Sequence, residues 1–272
     1  MYALPSAPLS VGGVVDDAIR LFRSSFTRCW AFSAIIAVAL FGMQLAMMPF
    51  TPNLARSGPA SASQVLATLG DPRLIGASIA AYLALMIVSL VFYGGLLTVQ
   101  AAVARGDDSV GVGRALTTGL RRAPGMLLAA LLYCLAVAGG LILLIIPGLW
   151  VSVRLYLWMA AMFTEESSAL ASLETSWRLT KGHWWRAVAI LSVTLVIFLV
   201  VSMAFGLVAG IIVSVTHSRP ADARIIQAAT QVVPYFIGYP FLTAAWLAMY
   251  HDFKLRREGG DLAARMGALS SA

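Results

Sequence analysis

Long stretches of this chain contain no Asp, Glu, Lys or Arg and consist mainly of apolar side chains. A transmembrane helix needs roughly 20 consecutive residues of this kind, and each stretch is at least that long. The stretches are Cys29–Phe50, Leu74–Ala104, Ala123–Val153, Ala187–Ser218 and Ile225–His251. The pattern therefore predicts an all-α integral membrane protein that crosses the bilayer several times.

The third stretch, Ala123–Val153, is too long for a single span and contains a turn signal. Pro-Gly pairs mark turns, and Pro147-Gly148 lies inside this stretch. A turn at that point predicts two helices, Pro124–Ile146 and about Leu149–Thr164, and gives six spans. If the stretch stays whole, the chain has five spans.

The distribution of positive charge decides between five and six spans, because cytoplasmic loops carry an excess of Lys and Arg. With six spans and a cytoplasmic N-terminus, 14 of the 19 cations fall on the cytoplasmic side. With five spans, the last two basic clusters would lie on opposite sides of the membrane. The 14 cations are Arg20, Arg23, Arg28, Arg105, Arg114, Arg121, Arg122, Arg178, Lys181, Arg186, Lys254, Arg256, Arg257 and Arg265. We therefore predict six transmembrane helices with both termini in the cytoplasm.

Composition excludes a soluble globule and a disordered chain. Of 272 residues, 60% are hydrophobic and 11% are charged, and the mean hydropathy is +0.86. Soluble domains carry about 25% charged residues, and disordered chains combine low hydrophobicity with high charge. The net charge of +7 comes from cations at span ends, which indicates orientation and contact with membrane phospholipids rather than nucleic acid. Cys29 and Cys134 both lie in apolar stretches, so we predict no disulfide framework, no metal site and no cofactor.

Three basic segments before the membrane hairpins have amphipathic character. In the first, apolar residues from Val11 to Phe26 recur at helical spacing with charged residues, Asp17 among them, on the other face, and Ser10 is placed to cap the helix. The segment Ser167–Arg186 aligns with it, and Val112–Arg122 is similar in character. We predict cytoplasmic interfacial helices in the headgroup plane, which either recognise lipid or a partner or only brace the bundle.

The alignment of these segments predicts three repeated units, each an interfacial helix followed by a two-span hairpin. The units are about 9–104, 109–164 and 167–251 of a single membrane domain, and a short basic cytoplasmic tail, 252–272, follows them. The basic and aromatic residues expected at the interface are Arg20, Arg23, Arg28, Arg178, Lys181, Trp184, Trp185 and Arg186.

Arg154 is the single cation predicted at membrane depth. It follows Pro147 by seven residues, which places it about 10 Å from the outer end of its helix. An arginine at the centre of a span costs roughly 2.5–3.5 kcal/mol on insertion, and all acidic residues lie outside the predicted spans. Its partner is therefore a backbone carbonyl, a hydroxyl or amide side chain, water, or an external anion such as a lipid phosphate. The residue is either a structural hub or a contact for anionic lipid.

The fifth span carries small residues at every fourth position. Ser202, Gly206, Gly210 and Ser214 form a small-xxx-small ladder, which lets another helix approach closely. The ladder packs either against a helix of the same chain or against a second copy in a homo-oligomer.

No catalytic constellation is present in the sequence. The spans contain no acid pair, no His-Glu motif and no G-x-S-x-G elbow. Coupling to protons or sodium ions usually uses carboxylates inside the membrane, and these spans contain none. The chain is therefore predicted not to be an enzyme, and ion-coupled transport is disfavoured.

The region from Pro147 to Arg186 resembles a bacterial family of membrane proteins. Its motifs are Pro147-Gly148-Leu149-Trp150, Arg154, Glu165-Glu166, Ala171, Ser176-Trp177-Arg178-Leu179-Thr180-Lys181-Gly182 and Trp185-Arg186. Together with Leu9-Ser10-Val11-Gly12, they are similar to the YciC-like group, also named for the membrane domain of glycerophosphoryl diester phosphodiesterase. The resemblance implies an inner-membrane protein of undefined role. It transfers no catalysis, because the hydrolytic residues of that phosphodiesterase belong to a separate soluble domain.

The sequence leaves two functions open. The first is a non-enzymatic inner-membrane protein that engages anionic lipid or an envelope protein, as the basic segments and Arg154 suggest. The second is a transporter or a permease-like subunit, in which Glu165–Arg186 would serve as the coupling segment for a partner ATPase. A polar cavity that reaches Arg154 would favour transport, whereas a lipid phosphate at Arg154 would favour lipid engagement.

Overall fold

The computed structural model describes residues 2–47, 71–107, 109–217 and 219–270, and all regular structure in those ranges is helical. The helices are α1 (Val11–Met47), α2 (Pro72–Ala104), α3 (Val112–Leu143), α4 (Ile145–Leu155), α5 (Trp158–Thr164), α6 (Ala169–Thr180), α7 (Trp184–Val215), α8 (Pro220–Thr230) and α9 (Val232–Ser270). Ser10 caps α1 as predicted, because its Oγ accepts a hydrogen bond from the amide of Gly13 at 3.0 Å.

Six helical segments in the described ranges are long and apolar enough to cross a membrane. They are Val11–Met47, Pro72–Ala104, Val112–Leu143, Ile145–Thr164, Trp184–Val215 and Asp222–Arg257. The prediction of an all-α membrane protein with six apolar helices is confirmed at this level. The segment Thr51–Arg73 joins the first two apolar stretches and is expected to be a loop outside the cytoplasm, but apart from residues 71–73 it lies outside the described residues.

Hydrogen bonds tie the start of α1 and the middle of α9 together at one end of the molecule. The amide of Leu9 donates to Oδ1 of Asp252 at 2.9 Å. Arg186, near the start of α7, donates to Oδ2 of the same carboxylate at 3.0 Å. Glu165, in the loop after α5, is joined to the same region, because the Tyr250 hydroxyl of α9 donates a hydrogen bond to its carboxylate at 2.5 Å. We call this region the termini end.

Packing is tightest near the termini end, and the remaining lengths of the long helices are more exposed. Leu21 of α1, Leu97 of α2 and Phe253 of α9 are fully buried. On α7, by contrast, Val200 is 61% exposed and Leu207 is 69% exposed. Contiguous apolar surface is rare on soluble monomers and marks contact with a membrane or a partner. These outer faces are therefore the surfaces that meet lipid.

The first predicted interfacial helix is not a separate element. α1 runs without a break from Val11 to Met47, so the amphipathic segment continues directly into the first span. Asp17, which the pattern places on the polar face, is buried and accepts a hydrogen bond from the Tyr2 hydroxyl at 2.8 Å. The physical reason is that no Gly or Pro lies between residues 14 and 41 to end the helix.

The second segment, Val112–Arg122, is likewise part of one long helix, α3. Only the third segment forms a helix of its own, α6, which ends before α7 begins. The predicted repeat of three helix-plus-hairpin units is therefore not confirmed, because the units 9–104 and 109–164 start with one continuous helix and the unit 167–251 starts with two.

The turn between α3 and α4 lies three residues earlier than predicted. The chain is extended at Leu144, and α4 already begins at Ile145. Pro147-Gly148 therefore occupies the first turn of α4, where a proline loses no helical hydrogen bond. A Cβ on Gly140 would lie 2.8 Å from the Cα of Gly148, so this glycine pair serves close helix packing rather than the turn itself.

Glycines allow α2 and α3 to cross at close range. A Cβ on Gly94 would lie 2.9 Å from the Cα of Gly119, and a Cβ on Gly119 would lie 2.8 Å from the backbone nitrogen of Gly95 and would overlap the carbonyl oxygen of Val91. These contacts join backbone to backbone, so neither helix has a flexible side chain to move aside. The crossing sets the position of the arginine-rich first half of α3.

Candidate functional site

Arg154 lies between two indole rings where α4 meets α6. Its guanidinium carbon is 4.6 Å from the ring centre of Trp150 and 4.8 Å from that of Trp177. Its Nη1 donates to the carbonyl oxygen of Trp177 at 3.1 Å. A cation–π contact contributes roughly 0.5–2 kcal/mol, so two of them offset much of the cost of placing the charge there. The backbone carbonyl was among the partners expected, the indoles were not, and the geometry favours a structural hub.

α4 and α5 are separated by a break at Tyr156-Leu157, and two hydroxyls of α6 bind the backbone groups at this break. The Ser176 hydroxyl donates to the carbonyl oxygen of Arg154 at 2.9 Å and accepts from the amide of Leu157 at 3.0 Å. The Thr180 hydroxyl donates to the same Arg154 carbonyl at 3.0 Å. A buried backbone group left unpaired costs about 1–3 kcal/mol, so these hydroxyls hold the interrupted helix to α6.

Replacing Ser176 with alanine is expected to lower the free energy of unfolding by about 1–3 kcal/mol, because the buried amide of Leu157 loses its acceptor. Ser152→Ala is the matched control, since the Ser152 hydroxyl donates only to the carbonyl of Leu149 in its own helix. That control is expected to change stability by at most about 0.5 kcal/mol. Unfolding in detergent, followed by tryptophan fluorescence, compares the two. Equal stability of both variants would show that the break does not depend on Ser176.

Four tryptophans from α4, α6 and α7 form the indole cluster beside Arg154: Trp150, Trp177, Trp184 and Trp185. The ring centres of Trp150 and Trp177 are 5.1 Å apart, and those of Trp184 and Trp185 are 4.7 Å apart. Trp184 Nε1 donates to the carbonyl oxygen of Trp150 at 3.3 Å, and Trp185 is 78% exposed. Tryptophan is enriched at membrane–water boundaries. The cluster therefore marks where the exposed apolar surfaces of α4 and α7 approach the termini end.

The predicted interfacial cations fall into two groups. The exposed group consists of Arg20, Arg23 and Arg28 on α1 and of Arg178 and Lys181 beside the indole cluster. Arg186 differs, because its guanidinium binds the buried Asp252 carboxylate at 2.9 Å and donates to the carbonyl of Leu9 at 2.5 Å. Arg186 therefore positions helices at the termini end, while the other five predicted interfacial cations are exposed at the surface.

The two glycines of the small-residue ladder of α7 make no close contact with another described helix. A Cβ on Gly210 would meet nothing within 4 Å, and a Cβ on Gly206 would meet only Nε2 of Gln231, at 3.8 Å. The ladder positions Ser202 and Ser214 lie on the same helix, of which Ser214 is exposed. The Ser202 hydroxyl is buried, so the open part of the ladder is its Gly206–Ser214 side, and packing of that side against a second copy stays a prediction.

Sequence reasoning missed the inward-facing hydroxyls of α6 and the role of Glu165. Glu165 accepts hydrogen bonds from Tyr250 at 2.5 Å and from Thr175 at 3.4 Å, and it pairs with Lys254 at 3.5 Å. The available signal was the helical spacing of the hydroxyls Ser172, Thr175, Ser176 and Thr180, which all prove to be buried. Within the ranges that the structure describes, no group of three or more His, Cys, Asp or Glu could hold a metal ion.

The apolar helices and the interfacial indoles define a multi-pass helical membrane protein. Residues 80–252 match the family model described as Domain of unknown function (DUF7847), and because this match covers more than half of the chain, the chain belongs to that family. It is also 27% identical over 185 residues to the UPF0259 membrane protein plu2479 of Photorhabdus laumondii subsp. laumondii, which covers 63% of this chain and 72% of the relative. No solved structure matches the chain. The similarity to the YciC-like group and to the phosphodiesterase membrane domain is not shown by these comparisons and stays a prediction.

Proposed function

We propose that this protein is a non-enzymatic, multi-pass protein of the bacterial inner membrane that binds anionic phospholipid, with both termini in the cytoplasm. The observation that carries the proposal is the indole cluster together with the exposed cations Arg178 and Lys181. Interfacial tryptophans set the depth of a protein in the bilayer, and neighbouring cations attract anionic headgroups. The combination favours a surface that selects anionic over neutral lipid.

The cations beside the indole cluster are carried by a firmly held helix. α6 is fixed to the break between α4 and α5 by Ser176, and Arg257 of α9 donates to the carbonyl oxygen of Arg178 at 2.6 Å. Because the backbone is held, little conformational entropy is lost when a headgroup binds the side chains. This supports a lipid-binding surface that is already formed before lipid binds, and not a segment that becomes ordered only on binding.

The cytoplasmic orientation rests on the distribution of cations between the two ends of the helices. Arg178, Lys181 and Arg186 lie near the termini end, whereas Arg73 and Arg219 lie at the opposite ends of α2 and of the α7–α8 hairpin. The larger group of cations belongs in the cytoplasm by the positive-inside rule. Transport has less support, because neither the cavity beside Gln44 nor the cavity at the end of α2 is lined by Arg154.

Replacing Arg178 and Lys181 together with glutamine is expected to reduce retention of phosphatidylglycerol roughly 30-fold, since each cation near an anionic surface contributes about 1 kcal/mol. Native mass spectrometry of the purified protein, equilibrated with mixed phosphatidylglycerol and phosphatidylcholine, measures the bound lipid. The matched control is Arg73→Gln with Arg219→Gln, which removes two exposed cations from the opposite ends of the helices. Unchanged retention in the first variant, or an equal loss in both, contradicts the proposal.

A further inference from the structure

A cavity of about 830 Å³ opens between the end of α2, the first half of α3 and the loop between α5 and α6. Ligand pockets typically measure roughly 300–1,000 Å³. Four arginines line it, Arg105, Arg114, Arg121 and Arg122, and we call it the arginine cavity. It lies towards the termini end, because Glu165, next to the lining loop, binds Tyr250.

The lining of the arginine cavity carries more positive than negative charge. Its acidic residues are Asp107 and Glu166. The hydroxyl and the amide of Ser109 donate to Asp107 at 2.6 Å and 2.9 Å and lower the pKa of that carboxyl, so Asp107 is ionised at neutral pH. Glu166 pairs with Arg122 at 3.7 Å. Among the lining residues that the structure describes, four guanidiniums stand against two carboxylates, which leaves two positive charges unbalanced.

Three of the four guanidiniums are available to a ligand. Arg105, Arg114 and Arg121 are exposed, and Arg114 and Arg105 help to lower the pKa of the Asp107 carboxyl by electrostatic attraction. Arg122 is held in place, because Nη1 donates to the carbonyl oxygen of Met162 at 2.5 Å and the guanidinium carbon lies 5.5 Å from the ring centre of Phe163. Guanidinium groups bind phosphate through paired N–H donors, so this set fits a phosphate group.

Ser167 adds a buried hydroxyl that lacks a partner. Its Oγ is inaccessible, has no hydrogen-bond partner among the described residues and borders the arginine cavity. Buried hydroxyls are normally paired, so a ligand oxygen would complete this group. α6 starts directly afterwards with Ser168 as its N-cap, and the N-terminus of a helix also favours an anion.

Exposed leucines continue from the arginine cavity along α3. Leu128 is 48% exposed and Leu135 is 60% exposed. They follow Arg121 by about two and four turns, so they lie on the same side of α3 as this lining residue. A ligand with a charged head in the cavity and alkyl chains along these leucines satisfies both surfaces, and this amphipathic shape is that of a lipid.

We propose that the arginine cavity binds the phosphate monoester headgroup of an anionic lipid, with Arg114 and Arg121 as its ligands and Arg122 as a positioning residue. This rests on the proposed function, since it names one headgroup among the anionic lipids. A phosphate monoester carries roughly −1.5 to −2 charges at pH 7 and so matches the two unbalanced positive charges. A phosphodiester headgroup, such as that of phosphatidylglycerol, carries a single negative charge and would leave one of the two positive charges of the lining unbalanced.

Glu166 is the competitor for this site within the chain. It is a non-glycine residue with φ of 52°, a left-handed conformation that residues with a side chain rarely adopt. Its carboxylate pairs with Arg122 at the cavity, where it repels a phosphate. Glu166→Gln is therefore expected to strengthen phosphate binding, the opposite sign from loss of the arginines.

Isothermal titration of the full chain in detergent with dioctanoyl phosphatidic acid, dioctanoyl phosphatidylglycerol and inorganic phosphate tests the assignment. Arg114→Gln with Arg121→Gln is expected to weaken phosphatidic acid binding at least about tenfold, because two charge-assisted donors are lost. Glu166→Gln is expected to tighten it. The matched control, Arg73→Gln with Arg219→Gln, removes two exposed cations from the opposite ends of the helices and is expected to bind phosphatidic acid like the unmodified protein.

A preference for phosphatidic acid over phosphatidylglycerol that disappears in the Arg114 and Arg121 variant supports the proposal. Equal binding of the two lipids overturns the charge match, and equal binding of inorganic phosphate and phosphatidic acid overturns the lipid assignment. An equal loss in the control variant overturns the site. If the Arg178 and Lys181 variant loses phosphatidylglycerol but the Arg114 and Arg121 variant binds phosphatidic acid like the unmodified protein, only the cavity assignment fails. If the Arg178 and Lys181 variant retains phosphatidylglycerol but the Arg114 and Arg121 variant loses phosphatidic acid, the surface contact of the proposed function fails and the cavity assignment stands.

Discussion

Replacing Asp252 with asparagine is expected to lower the free energy of unfolding by about 3–5 kcal/mol, the usual cost of breaking a buried ion pair from one side. The Asp252 side chain is 1% exposed and accepts from Arg186 and Arg256 as well as from the amide of Leu9. Both arginines also donate to the carbonyl of Leu9 at 2.5 Å. An amide in place of the carboxylate removes the counter-charge of two partly buried cations, Arg186 and Arg256, whose side chains are 18% and 26% exposed, so α1, α7 and α9 are held together less firmly at the termini end.

Asp16→Asn is the matched control for this change. It removes the same charge from an exposed position on α1 and is expected to alter stability by at most about 0.5 kcal/mol. Chemical unfolding in detergent, followed by tryptophan fluorescence, gives both values. Arg256→Gln keeps the carboxylate and the Arg186 pair, so it is expected to cost less than Asp252→Asn. A similar, small effect of the Asp16 and Asp252 substitutions would mean that the buried carboxylate does not hold the termini end together.

Gly119→Ala is expected to destabilise the protein by about 1–3 kcal/mol or more, because an added methyl group in a packed crossing forces backbone to move. The new Cβ would overlap the carbonyl oxygen of Val91 and approach the nitrogen of Gly95 to 2.8 Å. α3 would have to shift away from α2, and Arg114 and Arg121 would move with it. We therefore also expect weaker binding of phosphatidic acid in this variant.

Gly139→Ala is the control for the Gly119 substitution, because a Cβ at this position of the same helix meets nothing within 4 Å. In a helix interior, alanine is about 1 kcal/mol more favourable than glycine, so this variant is expected to be slightly more stable than the unmodified protein. The two substitutions should thus differ in sign when the midpoints of thermal unfolding are compared. A stabilising effect of Gly119→Ala would show that α2 and α3 do not cross as closely as the structure indicates.

Several features of the architecture follow from local pattern alone. Apolar stretches of more than about 20 residues with no charge have few stable solutions other than a membrane helix, so the class of fold was predictable. The cap at Ser10 was also predictable, because an N-cap hydroxyl binds an amide only three residues further along the chain and depends on no distant contact. The Pro-Gly signal predicts the turn between α3 and α4 at Pro147-Gly148, whereas the turn lies at Leu144, because proline also suits the first turn of a helix.

The partners of Arg154 could not all be predicted from the local sequence. The sequence allowed a backbone carbonyl as its partner but did not suggest an indole, and among the described residues its partners are the carbonyl of Trp177 and two indole rings. Trp177 is distant along the chain, so only the docking of α6 on α4 brings it to the guanidinium. The same docking gives Ser176 its role, because the break at Tyr156-Leu157 has no signal in the sequence.

The sequence by itself determined that the chain is a helical membrane protein, how many apolar helices it has and on which segments its cations lie, since hydropathy, capping and charge act over a few residues. Only the tertiary structure decided that Asp252 is buried against two arginines and that hydroxyls of α6 bind the backbone at the break between α4 and α5. It also decided that the arginines of α3 and of the end of α2 line one cavity with the loop after α5. These features depend on contacts between residues far apart in the chain. Such contacts are determined by close packing and by the need to pair every buried polar group. A pattern of a few neighbouring residues does not predict them.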